Sequence, residues 1–437
     1  MLLILFVFFS SSFPFSSSSS PSYLKLPLLP SLPFPTLQQA LAIDSLRLSS
    51  SSSLSAPIVS AASSGAGQYL VSLRLGSPPQ PLRLVLDTGS DLLWVRCSPC
   101  RDRCRRRRRR RRRPSFFPRH SSSFSPFHCY HPLCSLLPPL SPSCSRSPLH
   151  TPCRYKYSYA DRSSSAGLFS RDVLSPGGPG PGSLSFGCAF NVSAGPEFSS
   201  AHGVLGLGRG PISFSSQAGK PYGNAFSYCL PDYTLSPPPT TYLLFGAAAI
   251  NASLSAARLR STPLLSSPLS PTFYYVRVLG VSVGGVRLRS VPSSVWALDP
   301  ATGAGGTIVD SGTTLSFLPE RAYTAVVEAM KRRLGEAALA PGPPGFDLCV
   351  DSSAGAAAGG IRVPKLSFRL GGGAELSPPA RNYFIEAAEG VRCLALQPVG
   401  ATGAGFGVIG NLMQQGFVLV FDRDGSRLGF AYTGCSA

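Results

Sequence analysis

Two stretches of this chain repeat one design 223 residues apart, and the repeat constrains the fold more than any other feature. Residues 84–95 read LVLDTGSDLLWV and residues 307–318 read TIVDSGTTLSFL. Each is an apolar run of strand type that ends on an aspartate, turns through a hydroxyl residue and a glycine, and resumes as a second apolar run. Each is followed at a distance by an apolar-apolar-Gly run, Val204-Leu205-Gly206 after the first and Val408-Ile409-Gly410 after the second. A single Asp-Thr/Ser-Gly triplet is explained by an ordinary turn. Two copies are not, because a carboxylate at the end of a buried strand is costly unless it is paired, hydrogen-bonded or used. The pattern predicts two similar lobes that each bring one aspartate, Asp87 and Asp310, to a shared centre.

The chain is long enough for two such lobes: 437 residues, 43% of them hydrophobic. Gly (44) and Pro (43) are abundant, and short apolar runs broken by Gly, Pro or Ser outnumber helical periodicities, which predicts a mostly β protein. QYLVSLRLGSPPQPLRLVLD (68–87) and TFYYVRVLGVSVGGVRL (272–288) read as strand pairs, as do several C-terminal runs. LPERAYTAVVEAMKRRL (318–334) is the one clear helix, with Pro and Glu at its start and Lys and Arg at its end.

The ends and charges bound the location. Residues 2–9 are uninterrupted apolar and then give way to small residues, as in a signal peptide, and are too short to span a bilayer. We therefore expect a signal over 1–20 and a Ser- and Pro-rich pro-segment or linker over 21–66, in which 37–48 could form one helix. An N-terminal β lobe is expected over 67–255, with a cysteine-rich insertion at 97–153, and a C-terminal β lobe over 256–437. Asn191 and Asn251 stand in glycosylation sequons, meaningful in a secreted chain. The formal charge is +20, but Arg101, Arg103 and Arg105–Arg113, against Asp102, account for half of it. A general nucleic-acid surface does not follow. The Arg105–Arg113 run reads as a tolerated surface expansion, a polyanion-binding element or a processing site.

Seven of the twelve cysteines, Cys97, Cys100, Cys104, Cys129, Cys134, Cys144 and Cys153, crowd into the insertion, with His128, His131 and His150 nearby. Their uneven spacing lacks a repeated C-x-x-C, and a secretory start favours disulfides over a metal. No metal or cofactor is expected, and the histidines read as loop residues.

Two carboxylates meeting across a pseudo-twofold axis share one proton, so that one serves as general base and the other as general acid. The base activates a water that attacks a peptide carbonyl, and the acid polarises the carbonyl oxygen before protons pass to the departing nitrogen. Gly89 and Gly312 let backbone N–H groups approach the carboxylates. Thr88 and Ser311 would tie the loops together, and Ser90 and Thr313 would hold the outer carboxylate oxygens.

With these residues the chain resembles the pepsin-like aspartic proteases, and within them the plant nepenthesin-like branch, over roughly 66–437. The branch features are the cysteine-rich insertion, PTFYYVRVLGVSVGG, GFDLC and the closing VIGN. The resemblance implies a bilobal fold with a cleft between two pseudo-twofold related β lobes. It also implies a β-hairpin flap whose tyrosine, Tyr159, hydrogen-bonds Trp94; without the family frame these read as a strand aromatic and a core residue. All twelve cysteines could pair, Cys349 with Cys393 among them. The flap departs from the family pattern, reading Tyr159-Ala160-Asp161-Arg162-Ser163 where glycines are usual. The implied function is a secreted, monomeric acid endopeptidase of the apoplast or cell wall, or alternatively the vacuole, acting on protein or peptide substrates away from the membrane. The competing readings are a catalytically silent binding or inhibitor protein, and a polyanion-binding protein led by the arginine run.

Overall fold

In a computed structural model of the chain, the described residues are 24–30, 68–98, 115–137, 150–159, 163–174, 182–193, 201–235, 239, 241–246, 259–352, 361–401 and 405–435. The expected signal, the helix at 37–48, the Arg105–Arg113 run, Asn251, the flap residues 160–162 and Cys100, Cys104 and Cys144 lie outside them.

The first copy of the repeat is built from three pieces of chain. Strand β3 (Gln80–Asp87) carries the apolar run to Asp87, and β4 (Trp94–Arg96) carries it away. Strand β8 (Gly203–Gly206), the apolar-apolar-Gly run, lies between them, parallel to β3 with Asp87 opposite Gly206, and antiparallel to β4 with Trp94 opposite Val204. The second copy does the same. Strands β12 (Thr307–Val309), β13 (Ser316–Leu318) and β14 (Gly407–Ile409) pair as parallel β12–β14 and antiparallel β13–β14. Each glycine run threads its Asp loop so tightly that a side chain is excluded. A Cβ on Gly206 would stand 2.5 Å from the Asp91 carbonyl, and one on Gly410 would stand 2.0 Å from the Leu315 carbonyl oxygen.

Around the first copy, β5 (Arg154–Ser158) and β6 (Ser164–Val173) form a hairpin, and β7 (Ser183–Ser193) extends it to β4. Between the copies an antiparallel sheet runs in the order β2 (Tyr69–Leu75), β1 (Leu24–Pro30), β10 (Thr241–Phe245), β9 (Ala225–Cys229), β15 (Phe417–Asp422), β16 (Arg427–Tyr432) and β11 (Arg260–Leu265). Strand β1 falls in the Ser- and Pro-rich segment expected as a pro-segment or linker; alternate residues Leu26 and Leu28 point into the core, so LKLPLLP serves as a strand joining β2 to β10. Residues from both halves meet in one large core, and each Asp loop rests on a smaller apolar cluster of its own.

Helix α2 (Glu320–Leu334) begins just inside the sequence-predicted span and buries Ala322, Tyr323, Val326, Val327, Ala329 and Met330 at helical spacing. A second helix, α1 (Phe214–Tyr222), was not legible: Ser, Gly and Pro dilute its pattern, and the Ser213 hydroxyl that caps it accepts from the Ser216 N–H. Disulfides join Cys97 to Cys188, Cys134 to Cys153, Cys229 to Cys435 and Cys349 to Cys393. The last pair sits directly opposite on neighbouring strands. Cys129 is disulfide-bonded as well. Among the described residues no helix is long and apolar enough to cross a membrane.

Candidate active site

Both aspartates are buried at the ends of their strands. Their loops match each other at the level of single hydrogen bonds. Asp87 Oδ1 accepts from the Gly89 N–H at 3.0 Å, and Asp310 Oδ1 accepts from the Gly312 N–H at 2.8 Å. Each Oδ2 accepts from the hydroxyl three residues on, Ser90 for Asp87 and Thr313 for Asp310, both at 2.5 Å. The threading strands close the loops in the same way: the N–H groups of Gly208 and Asn411 donate to the carbonyls of Ser90 and Thr313, both at 2.7 Å.

The loops are also tied to each other. The Thr88 N–H donates to Ser311 Oγ at 3.1 Å, and the Ser311 N–H donates to Thr88 Oγ1 at 2.9 Å. Each hydroxyl then donates across to the other strand, Thr88 to the Val309 carbonyl at 3.2 Å and Ser311 to the Leu86 carbonyl at 3.0 Å. The result places the carboxylates around one small space. A Cβ on Gly312 would lie 2.3 Å from Asp87 Oδ1 and 3.3 Å from Asp310 Oδ1, and a Cβ on Gly89 would lie 2.8 Å from the Asp310 carboxylate. Only glycine leaves that space open.

Over the first loop lies the β5–β6 hairpin. Its three tyrosines alternate along the strand, and Tyr155, Tyr157 and Tyr159 are all buried on the same face. Trp94 Nε1 donates to the Tyr159 hydroxyl, and the Tyr159 N–H donates to the Ser163 carbonyl at 2.9 Å, closing the described part of the hairpin. The Tyr157 and Tyr159 rings are 5.0 Å apart. Burial pushes both phenols well above the usual tyrosine range, so both stay neutral donors or acceptors.

Sequence reading missed the groups behind the loops. The Tyr228 hydroxyl donates to Gln414 Oε1 at 2.7 Å, Gln414 Nε2 donates to the Ile409 carbonyl at 2.9 Å, and Asn411 Nδ2 donates to the Ser311 carbonyl at 3.1 Å. The Tyr274 hydroxyl donates to the Leu207 carbonyl at 2.8 Å. A polar residue beside VIG, in NLMQQ, was the available signal for two of them.

Other sequence-predicted residues lie elsewhere. Asn191 is exposed on β7. His131 packs 4.4 Å from the Phe127 ring and its Nδ1 accepts from the Leu133 N–H, so it caps a turn. His128 and His150 are exposed. Among the described residues no group of three or more His, Cys, Asp and Glu side chains is placed to hold a metal.

Residues 69–247 match the family model described as xylanase inhibitor N-terminal, and residues 273–432 match its C-terminal counterpart. The chain is 38% identical over 385 residues to Aspartyl protease family protein 2 of Arabidopsis thaliana, covering 87% of this chain and 74% of that protein. It is 35% identical over 373 residues to Aspartic proteinase nepenthesin-1 of Nepenthes gracilis, covering 85% and 79%. The chain belongs to the pepsin-like aspartic protease family, in its plant nepenthesin-like branch. Among solved structures, soybean Basic 7S globulin superposes with a TM-score of 0.64 at 19% identity, covering 94% of this chain and 97% of that one. That likeness concerns the bilobal, mostly β fold of the family.

Proposed function

We propose that the protein is an aspartic endopeptidase that hydrolyses peptide bonds in acid, with Asp87 and Asp310 as its catalytic pair. The observation that carries this reading is the space shared by the two carboxylates: a methyl group on Gly312 would touch both. Two carboxyl groups so placed hold one proton between them. The ionised member takes a proton from the attacking water, and the protonated member hydrogen-bonds the scissile carbonyl oxygen. The proton gained by the base then passes to the leaving nitrogen, and no covalent intermediate forms. Ser90 and Thr313 fix each carboxylate from outside, so both inner oxygens face the reacting carbonyl. Tyr159, held by Trp94, covers the substrate from the flap.

A secretory location supports an acid role. The disulfides Cys97–Cys188 and Cys229–Cys435 join residues 91 and 206 positions apart, a pattern suited to an oxidising compartment. In such a compartment exposed Asn191 is open to glycosylation, residues 1–20 act as the signal, and 21–66 as a pro-segment whose β1 pairs with β2 and β10. The destination is the apoplast or cell wall.

A second reading has one observation in its favour: the matching family models are described as xylanase inhibitor domains. Under it the cleft binds a protein without cleaving it. The deciding experiment digests a mixed peptide library in acid with the wild type, Asp87→Asn and Asp310→Asn. Cleavage at about pH 3–5 that is lost in both variants and blocked by pepstatin supports the peptidase. Intact peptides, together with retention of a xylanase on the immobilised protein, support the inhibitor.

A further inference from the structure

The two Asp loops differ in one chemical respect. The second continues from Thr313 to Thr314, whereas the first continues from Ser90 to Asp91. The Asp91 carboxylate is directed away from the catalytic space and into a join between three segments. Its Oδ1 accepts from the Gly210 N–H at 2.8 Å, and its Oδ2 accepts from the Thr272 hydroxyl at 2.6 Å. Gly210 belongs to the turn that follows β8, and Thr272 lies between β11 and β12. The same turn is bound at both ends: the Gly208 N–H donates to the Ser90 carbonyl at 2.7 Å, and the Arg209 N–H donates to the Thr272 carbonyl at 2.9 Å. The fit admits no side chain. A Cβ on Gly208 would lie 2.4 Å from Asp91 Oδ1, and one on Gly210 would lie 2.2 Å from Oδ2.

We propose that Asp91 is a positioning residue for the catalytic pair: it pins the Asp87 loop to the Gly208–Gly210 turn and to Thr272, and through its neighbour Ser90 aims the Asp87 carboxylate at Asp310. This rests on the peptidase reading. Asp91 contacts no reacting atom; it acts through Ser90, whose hydroxyl holds Asp87 Oδ2 and whose carbonyl is held by the same turn.

The pin works in either protonation state. As a carboxylate, Asp91 accepts both bonds. As a carboxylic acid it still accepts from Gly210 at Oδ1, while its own O–H donates to the Thr272 oxygen. The groups facing it are Tyr157 of β5, whose hydroxyl meets the Asp91 backbone, together with Tyr274 and Arg423. The Asp87 charge acts on Tyr157 as well. Arg423 is engaged by Ser215, Ser216 and the Arg209 carbonyl, and the Arg209 guanidinium by the Leu265 carbonyl and Ser266. Both guanidinium groups are thus engaged by other partners, and burial raises Asp91 above the ordinary carboxylate value despite Thr272, Gly210 and Arg423. The folded protein holds this proton more tightly than the unfolded chain does. The cost of the buried charge is thus absent in acid and grows as pH rises above 3.8, the ordinary carboxylate value.

The test uses the full chain as wild type, Asp91→Asn, Asp91→Ala and Thr272→Val, with kcat and KM on an acid-cleaved peptide and thermal midpoints from acid to neutral pH. An asparagine reproduces the protonated pin, its amide oxygen accepting from Gly210 and its NH2 donating to Thr272. Asp91→Ala should lower kcat about tenfold or more while KM stays within about threefold, and Asp91→Asn should recover most of that loss. Thr272→Val should show the same split more weakly. The wild type should lose thermal stability from acid towards neutral pH more steeply than Asp91→Asn does. Wild-type kcat in Asp91→Ala, or an Asp91→Asn enzyme as slow as Asp91→Ala, overturns the proposal. Should Asp91→Ala not fold, the kcat and KM of Thr272→Val decide. Should the wild type cleave nothing, the peptidase reading fails. The pin is then judged separately, by whether Asp91→Ala and Thr272→Val lower the midpoint while Asp91→Asn does not.

Discussion

Thr88 and Ser311 exchange hydrogen bonds across the molecule: the backbone N–H of each donates to the hydroxyl of the other, at 3.1 and 2.9 Å. Both residues are buried, so neither N–H has water to fall back on. Thr88→Val and Ser311→Ala should each destabilise the fold by about 1–3 kcal/mol in denaturant unfolding. The two changes remove different bonds, so they couple only through the shared loop junction: a loop already shifted by the first change has weakened the bonds the second removes, and the double variant should cost less than the two added together. Strict additivity would mean that losing one hydroxyl leaves the other loop in place.

The threading glycines admit no substitute. A Cβ on Gly410 would stand 2.0 Å from the Leu315 carbonyl oxygen, backbone against backbone, so the loop that carries Asp310 must move to make room. Gly410→Ala should cost about 3 kcal/mol or more, read from the urea midpoint. The surviving folded fraction should lose kcat while KM changes little.

Trp94 contributes a bulky core ring and a single N–H donated to Tyr159. Trp94→Phe keeps most of the apolar packing and removes the donor. A buried hydrogen bond of about 0.5–1.5 kcal/mol net corresponds to a fall of about two- to tenfold in kcat/KM if the bond holds the flap in its working position. The dyad bonds do not involve Trp94, so the pH profile of the residual activity should keep its shape.

His202 opposes Asp91 in its pH behaviour. Burial beside Arg83 and Arg96 lowers it from 6.5 to about 4, while its Nδ1 accepts from the Arg83 N–H at 3.1 Å. The unfolded chain takes up this proton first, so the stability that His202 contributes is present above 6.5 and is lost as pH falls through about 4. His202→Asn retains an acceptor for Arg83 without a titrating ring. Its thermal midpoint, relative to wild type, should improve from neutral pH towards pH 4; a constant difference across that range would remove His202 from the acid response.

Much of the centre was readable in the chain because it is built from local rules. Asp87 and Asp310 stand out as charges at the ends of apolar runs, and the glycines and hydroxyls that serve them lie within three residues. The apolar-apolar-Gly runs could be found by repetition, although their reason, a backbone passage too narrow for a Cβ, is visible only in three dimensions. Helix α2 declared itself by its period, whereas α1 and β1 did not. A seven-residue run of Leu, Lys and Pro has no pattern of its own and becomes a strand because β2 and β10 offer it two open edges.

The amino-acid sequence alone determined that there are two equivalent lobes and that each contributes one carboxylate. Duplication and burial cost leave their mark residue by residue along a chain. Tertiary structure decided which distant single residues meet: Cys97 with Cys188, Tyr228 with Gln414, and Asp91 with Thr272 across 181 positions. Such contacts depend on one polar atom reaching another after both lobes have packed, and no periodicity or local preference records them beforehand.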